Sequence, residues 1–482
     1  MTRRRSNDED AGAELEASAT TDEETPTRWA ALTGNARALW QRRGAPVLRW
    51  FRALLFWTII VVGIGGIVGL LALTGYSEIR QNWAAGEPWF SGFQAASVAV
   101  PIAALIAAGV AITTARWALS AERDRRDIER RDTTERALRD RFHELVKLLA
   151  AEELRAREGA AFAVAALADD WQAHYRNEPN RARAEQQVCI DVLISQLRDP
   201  MPADEAAYAH MVAFKHSVQG IFRSRLGTDT AQPGVWTNFN LVFDGCTFHD
   251  LDLTGCVSSG RVVSFRRAQF IGEAKFDFAH FTWPARFDSA CFTRGARFSG
   301  ARFTRLAVFG GAHFAGAATF DHARFAGDAV FGDTHFTGPT TFDHARFAVG
   351  AWFGGAHFTG SARFNDARFA VGAWFGGAHF TGPTTFDHAR FAVGAWFGGA
   401  HFTGETTLNR ASFPGDAGFR DAHFASSRVS LENADFAGGP VWFGDTYFDV
   451  LPQEFPKCEL CKELRARQVL ARVPDDGWSK MS

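Results

Sequence analysis

The sequence predicts an all-β solenoid of square cross-section with 22-residue coils, preceded by two transmembrane helices and a small α-helical module. Two observations carry this. From Phe265 to Phe424, phenylalanines recur at steps alternating five and six residues, with Leu408 standing in once. Four steps sum to 22, so Phe320, Phe325, Phe331 and Phe336 return as Phe342, Phe347, Phe353 and Phe358. Such a period marks a stack in which each repeat buries its apolar face only against its neighbours. The second observation is a pair of uncharged intervals, Arg52 to Glu78 and Glu87 to Arg116. Each is long enough for the ~20 apolar residues a bilayer helix needs.

The repeat must be extended chain. Two residues before each Phe stands a small residue, as at Ala301, Ala307, Ala312, Ala318, Ala323 and Ala329, with Thr334, Thr340, Thr384 and Thr406 as substitutes. Residues two apart share one face of a strand. Helical spacings of three and four are missing. Corners such as Gly354-Gly355, Gly376-Gly377 and Gly398-Gly399 tolerate tight turns. Four extended pieces therefore close one coil, with four Phe rings and four small residues inside.

Units such as Ala-Arg-Phe (301–303), Ala-His-Phe (312–314), Ala-Arg-Phe (323–325) and Ala-Trp-Phe (351–353) resemble the pentapeptide-repeat family. That resemblance implies a right-handed quadrilateral β-helix. This chain departs from it by a sixth residue on alternate faces, which predicts bulged corners. The stretch Glu153–Ala168 resembles the helical segment ahead of the repeats in membrane-anchored actinobacterial members of that family. Residues 384–404 copy 340–360.

The chain divides, on this reading, into a disordered acidic N-terminus (1–27), a basic juxtamembrane segment (28–52) and transmembrane helix 1 (53–76). An external loop (77–92), transmembrane helix 2 (93–115) and a charged helical stalk (116–137) follow. Then come the helical module (138–227), the β-helix (235–449) and a C-terminal cap helix with its tail (450–482). Arg42, Arg43, Arg49 and Arg52 precede the first span, and Arg116, Arg123, Arg125 and Arg126 follow the second, whereas the loop holds only Arg80. Positive residues stay inside. The expected location is therefore the plasma membrane, with both termini and the repeats cytoplasmic. Cys458-x-x-Cys461 has ligand spacing, but no second pair completes a zinc site.

Residues just before each Phe point outward, and those 22 apart stack one coil above another. One face carries Trp352, Trp374 and Trp396, the preferred candidate for binding a partner. The competing reading is that these rings only stack on one another. A second carries His313, His335, His357, His379, His401 and His423, a weaker candidate pH or metal sensor. The third carries Thr319, Thr341, Arg363, Thr385 and Thr407. The fourth carries Arg302, Arg324, Arg346, Arg368 and Arg390, which could meet phosphate or acidic partners but are expected to pair internally with the nearby Asp321, Asp343 and Asp387.

No phosphate loop, nucleophile elbow or His-Glu-x-x-His appears, so neither enzyme nor cofactor is predicted. The expected function is a membrane-anchored cytoplasmic scaffold or protein-interaction module. Its expected partners are the lipid bilayer, a protein of unspecified kind and, in one version, a second copy of the chain. The family resemblance also implies a topoisomerase-binding DNA mimic of the quinolone-protection type. Residues 240–450 hold 17 Arg+Lys against 19 Asp+Glu, too even a balance for the negative field that mimicry needs, and it argues against nucleic acid as partner.

Overall fold

The computed structural model describes residues 92–228, 234–425, 428–436 and 439–449. The N-terminal 1–52, the span expected over 53–76, the loop up to residue 91, the C-terminal 450–482 and the Cys458/Cys461 pair lie outside the described residues. Helix α1, Gly92–Leu149, occupies the positions of the expected second span and stalk. Among the described residues no helix is long and apolar enough to cross a membrane, so the structure lends neither expected span support. Contacts divide the chain after Asp124, and the described residues from Arg125 onward form one compact unit.

Three further helices precede the repeats: α2 (Leu154–His174), α3 (Pro179–Arg198) and α4 (Glu205–Leu226). Buried Ala161, Ala165 and Ala168 let α2 approach α3, whose Ile190, Leu193 and Leu197 are equally buried. Their ends follow local chemistry. Pro179 opens α3, where a missing N–H costs nothing. The Asp204 carboxylate accepts the Ala207 N–H at 2.8 Å and caps α4. Gly227, at φ 68°, stops it.

From residue 241 to 448 the chain winds into a right-handed β-solenoid of about nine coils. Four parallel sheets of 10, 8, 7 and 10 short strands form its walls. In the central coils the register is one period, as in Ala329↔Ala351 and His335↔His357. It slips at the ends, where Val257 pairs with His280 and His423 with Tyr447. Added residues are thus absorbed where the stack begins and finishes.

The interior is a lattice of rings. Phe353 stacks on Phe331 and Phe375 at 4.8 Å, and meets Phe342 edge-on at 5.4 Å. Offset or edge contacts at these distances suit the ring quadrupole. The alanines two residues before the rings are fully buried and fill the gaps. Where Thr replaces Ala, its hydroxyl finds a carbonyl: Thr334 Oγ1 donates to Phe309 O at 2.9 Å. Ser258 is the exception, in register with Phe281, its buried hydroxyl without a hydrogen-bond partner.

The alternation of five and six has a backbone cause. Each five-residue step turns through one left-handed residue, Gly377 at φ 66° or His344 at φ 58°. Each six-residue step spends its extra residue on a wider corner, such as Ala348-Val349-Gly350.

The first coil presents an unpaired strand edge, which α3 and α4 close. The Gln219 amide donates to His249 O at 3.0 Å and accepts its N–H at 3.1 Å. Gln187 does the same for Asn240, at 2.9 and 3.1 Å. Each glutamine thus acts as a one-residue strand. Arg198 donates to Val242 O and Asp244 O, and Arg223 to Asp252 O. Phe222 packs on Trp236 and Phe243 between them. An open edge is a template for unwanted pairing, and these helices remove it.

Candidate interaction surface

Going round a coil, the faces follow in the order Trp, His, Thr, Arg. The Arg face therefore adjoins the Trp face and lies opposite the His face.

On the Trp face the strand register sets Trp352, Trp374 and Trp396 one above another. Their rings stack at 3.8 and 5.1 Å, with interplanar angles of 4° and 11°. Trp352 is 41% exposed, while Trp374 and Trp396 are half-buried. The cause is local. Each of these two indoles lies back over the glycine two residues earlier, Gly372 or Gly394, where any Cβ would collide with the ring. The column therefore presents ring edges outward and is part of the wall as well as of the surface. Beside it run Val349, Val371 and Val393, exposed by 39 to 54%, which widen it into an apolar corner. These valines lie outside the column of residues that precede each Phe, although Ala-Val-Gly recurs there at the 22-residue period.

On the His face the central rings stack in parallel, His335 on His357 at 4.8 Å, His357 on His379 at 4.7 Å and His379 on His401 at 4.9 Å. The end rings tilt away, and His423 Nε2 meets Asp449 at 2.9 Å. Ring nitrogens offer their lone pairs in the ring plane, so parallel rings cannot converge on one ion. Among the described residues no group of three or more His, Cys, Asp or Glu is placed to hold a metal. Burial, then repulsion from His357 and His401, holds the His379 pKa below its ordinary value.

The Arg face corrects an expectation. Asp321, Asp343 and Asp387 do not pair with the Arg column. Their Oδ1 atoms accept N–H groups of the next coil, from Asp343 at 3.0 Å, Asn365 at 2.9 Å and Asn409 at 2.7 Å. The second oxygen of Asp343 takes Arg363, on the Thr face. Among the described residues no ion pair joins Arg302, Arg324, Arg346, Arg368 or Arg390 to a carboxylate. All five are exposed.

The solenoid is filled by side chains. A hollow of about 390 Å³ lies instead among α1, α2 and α3, lined by Glu135, Tyr175 and Arg181. Its charges answer each other, Arg181 meeting Glu135 at 2.9 Å.

A family model described as pentapeptide repeats (9 copies) matches residues 243–290, 276–324, 320–368 and 364–412. The repeat region belongs to the pentapeptide-repeat family. The chain matches no curated relative and no solved structure. Pentapeptide-repeat membership and the solid core together point to recognition by the outer faces.

Proposed function

We propose that this chain is a non-enzymatic protein-interaction scaffold. On the sequence's reading alone, spans over 53–76 and 93–115 would tether it to the plasma membrane, with its repeats on the cytoplasmic side. The membrane part rests on the two uncharged intervals and the basic residues flanking them. The observation that carries the interaction reading is the corner of Trp352, Trp374, Trp396, Val349, Val371 and Val393 on a wall whose interior has no room for a ligand. Aromatic edges beside exposed aliphatic side chains are what a protein partner covers. The binding partner is a protein, and a second copy of the chain is the alternative occupant.

The test replaces Trp352, Trp374 and Trp396 together by Thr in the full chain. Thr suits an outward ladder position. Circular dichroism should be unchanged, while recovery of cellular partners by pull-down, and self-association by light scattering, should fall at least tenfold. A variant that folds and keeps all its partners removes this corner from consideration.

A further inference from the structure

We infer that the Arg face is a docking surface for an anionic lipid bilayer. The inference shares Val349, Val371 and Val393 with the proposed protein-binding corner, but its charge comes from the Arg face and it does not need the Trp rings to bind anything. Arg302, Arg324, Arg346, Arg368 and Arg390 occupy successive rungs of one parallel sheet. Neighbouring strands lie ~4.8 Å apart, so the column is ~19 Å long. Five like charges at this spacing repel one another, and the column's carboxylate, Asp435, stands two rungs beyond Arg390, past Ser412. Nearby carboxylates bond to backbone and not to the guanidinium groups: Asp321, Asp343 and Asp387 accept backbone N–H groups of the next coil, and Asp328 accepts the Gly350 N–H at 3.0 Å. Asp366 is the exposed exception, and it faces His344 at 4.0 Å. An extended anionic partner would supply the missing charge.

The flanks of the column decide which one. On the side of the Thr face stand His322 and His344, stacked at 4.8 Å. On the other side come exposed Ala326, Ala348 and Ala370, then the Val349, Val371 and Val393 corner. The face thus grades from cationic to aliphatic across its width. Single-stranded nucleic acid would ask for free aromatic faces on which bases stack. Here the indole faces are turned to one another, and alanine and valine offer none. A bilayer asks for what is present: guanidinium groups at the level of anionic headgroups, and short aliphatic side chains reaching the acyl boundary. Successive rungs of one sheet place the five side chains on the same side of the solenoid.

The experiment uses the full chain with Cys291, Cys458 and Cys461 replaced by Ser. An environment-sensitive dye is attached at Ala370→Cys on the Arg face, or at Thr381→Cys after the His face. Vesicles are phosphatidylcholine alone or phosphatidylcholine with phosphatidylserine. The Ala370→Cys label should shift to the blue only with phosphatidylserine, and ~1 M salt should reverse the shift. The Thr381→Cys label should stay silent. Each Arg→Gln step should weaken the response about fivefold. Replacing all five by Lys should preserve it, because a diffuse headgroup layer reads charge whereas paired carboxylates read the guanidinium fork. The salt arm keeps the face intact, so the test stands even if the fivefold Gln variant fails to fold. Equal shifts with both vesicles, no shift at all, equal shifts at both labels, loss with Lys, or a stronger response to single-stranded RNA than to vesicles would each overturn the proposal.

Discussion

Phe353 shows what holds one residue in this stack. It is fully buried, stacked face to face with two rings and in edge-to-face contact with Phe342 and Phe364. Replacing it by Ala leaves a void that neighbours on a hydrogen-bonded ladder cannot collapse to fill. Phe353→Ala should therefore cost about 3–5 kcal/mol in urea unfolding of the full chain. His357→Ala, on an outward position, should stay within about 0.5 kcal/mol. Equal effects would mean that the inward and outward assignments are reversed. The inward set was legible because a period fixes side-chain direction. The partners of the Arg column were not. Asp343 stands three residues before Arg346 in sequence, yet the N–H it serves belongs to Asn365, 22 residues on. In a solenoid the coil above is a nearer neighbour than the next corner, and adjacency in sequence misleads.

At the scale of elements, the helices ahead of the repeats gain a role that periodicity could not reveal. Their apolar stripes announce a packed module. Nothing in the spacing of Gln187 and Gln219 says that they finish a sheet, because the groups they satisfy lie 53 and 30 residues away. Gln219→Ala strips both partners from His249, whose backbone stays buried. Leaving such groups unmet costs about 1–3 kcal/mol each. The variant should lose about 2–6 kcal/mol in urea unfolding, and it should self-associate through the uncovered edge, measured by light scattering. Gln219→Glu keeps the acceptor for the N–H but sets a carboxylate against the carbonyl, so it should rescue less than half of the loss. If Gln219→Ala proves as stable as the parent, the helices shield the edge by packing alone.

The whole molecule obeys two periods at once, and they separate fold from surface. The Phe lattice repeats every 11 residues, because one five-step and one six-step already restore it. The outward columns repeat only every 22. Deleting 350–371 removes one coil and joins Val349 to Gly372, keeping every column in register with one Arg fewer. Deleting 350–360 joins Val349 to Ser361. The Phe spacing survives this too, yet every later coil is rotated by half a turn, and His379 lands above Arg346. Stability in such arrays is a sum over repeats and their contacts. Both deletions should therefore keep the parent circular dichroism and melt cooperatively. Their surfaces should differ. The 22-residue deletion leaves four Arg in line and should weaken the phosphatidylserine response about fivefold, whereas the 11-residue deletion leaves three and should weaken it about 25-fold. If the 11-residue deletion unfolds while the 22-residue deletion does not, the four walls are not interchangeable, and the small residues beneath each Phe specify their own face.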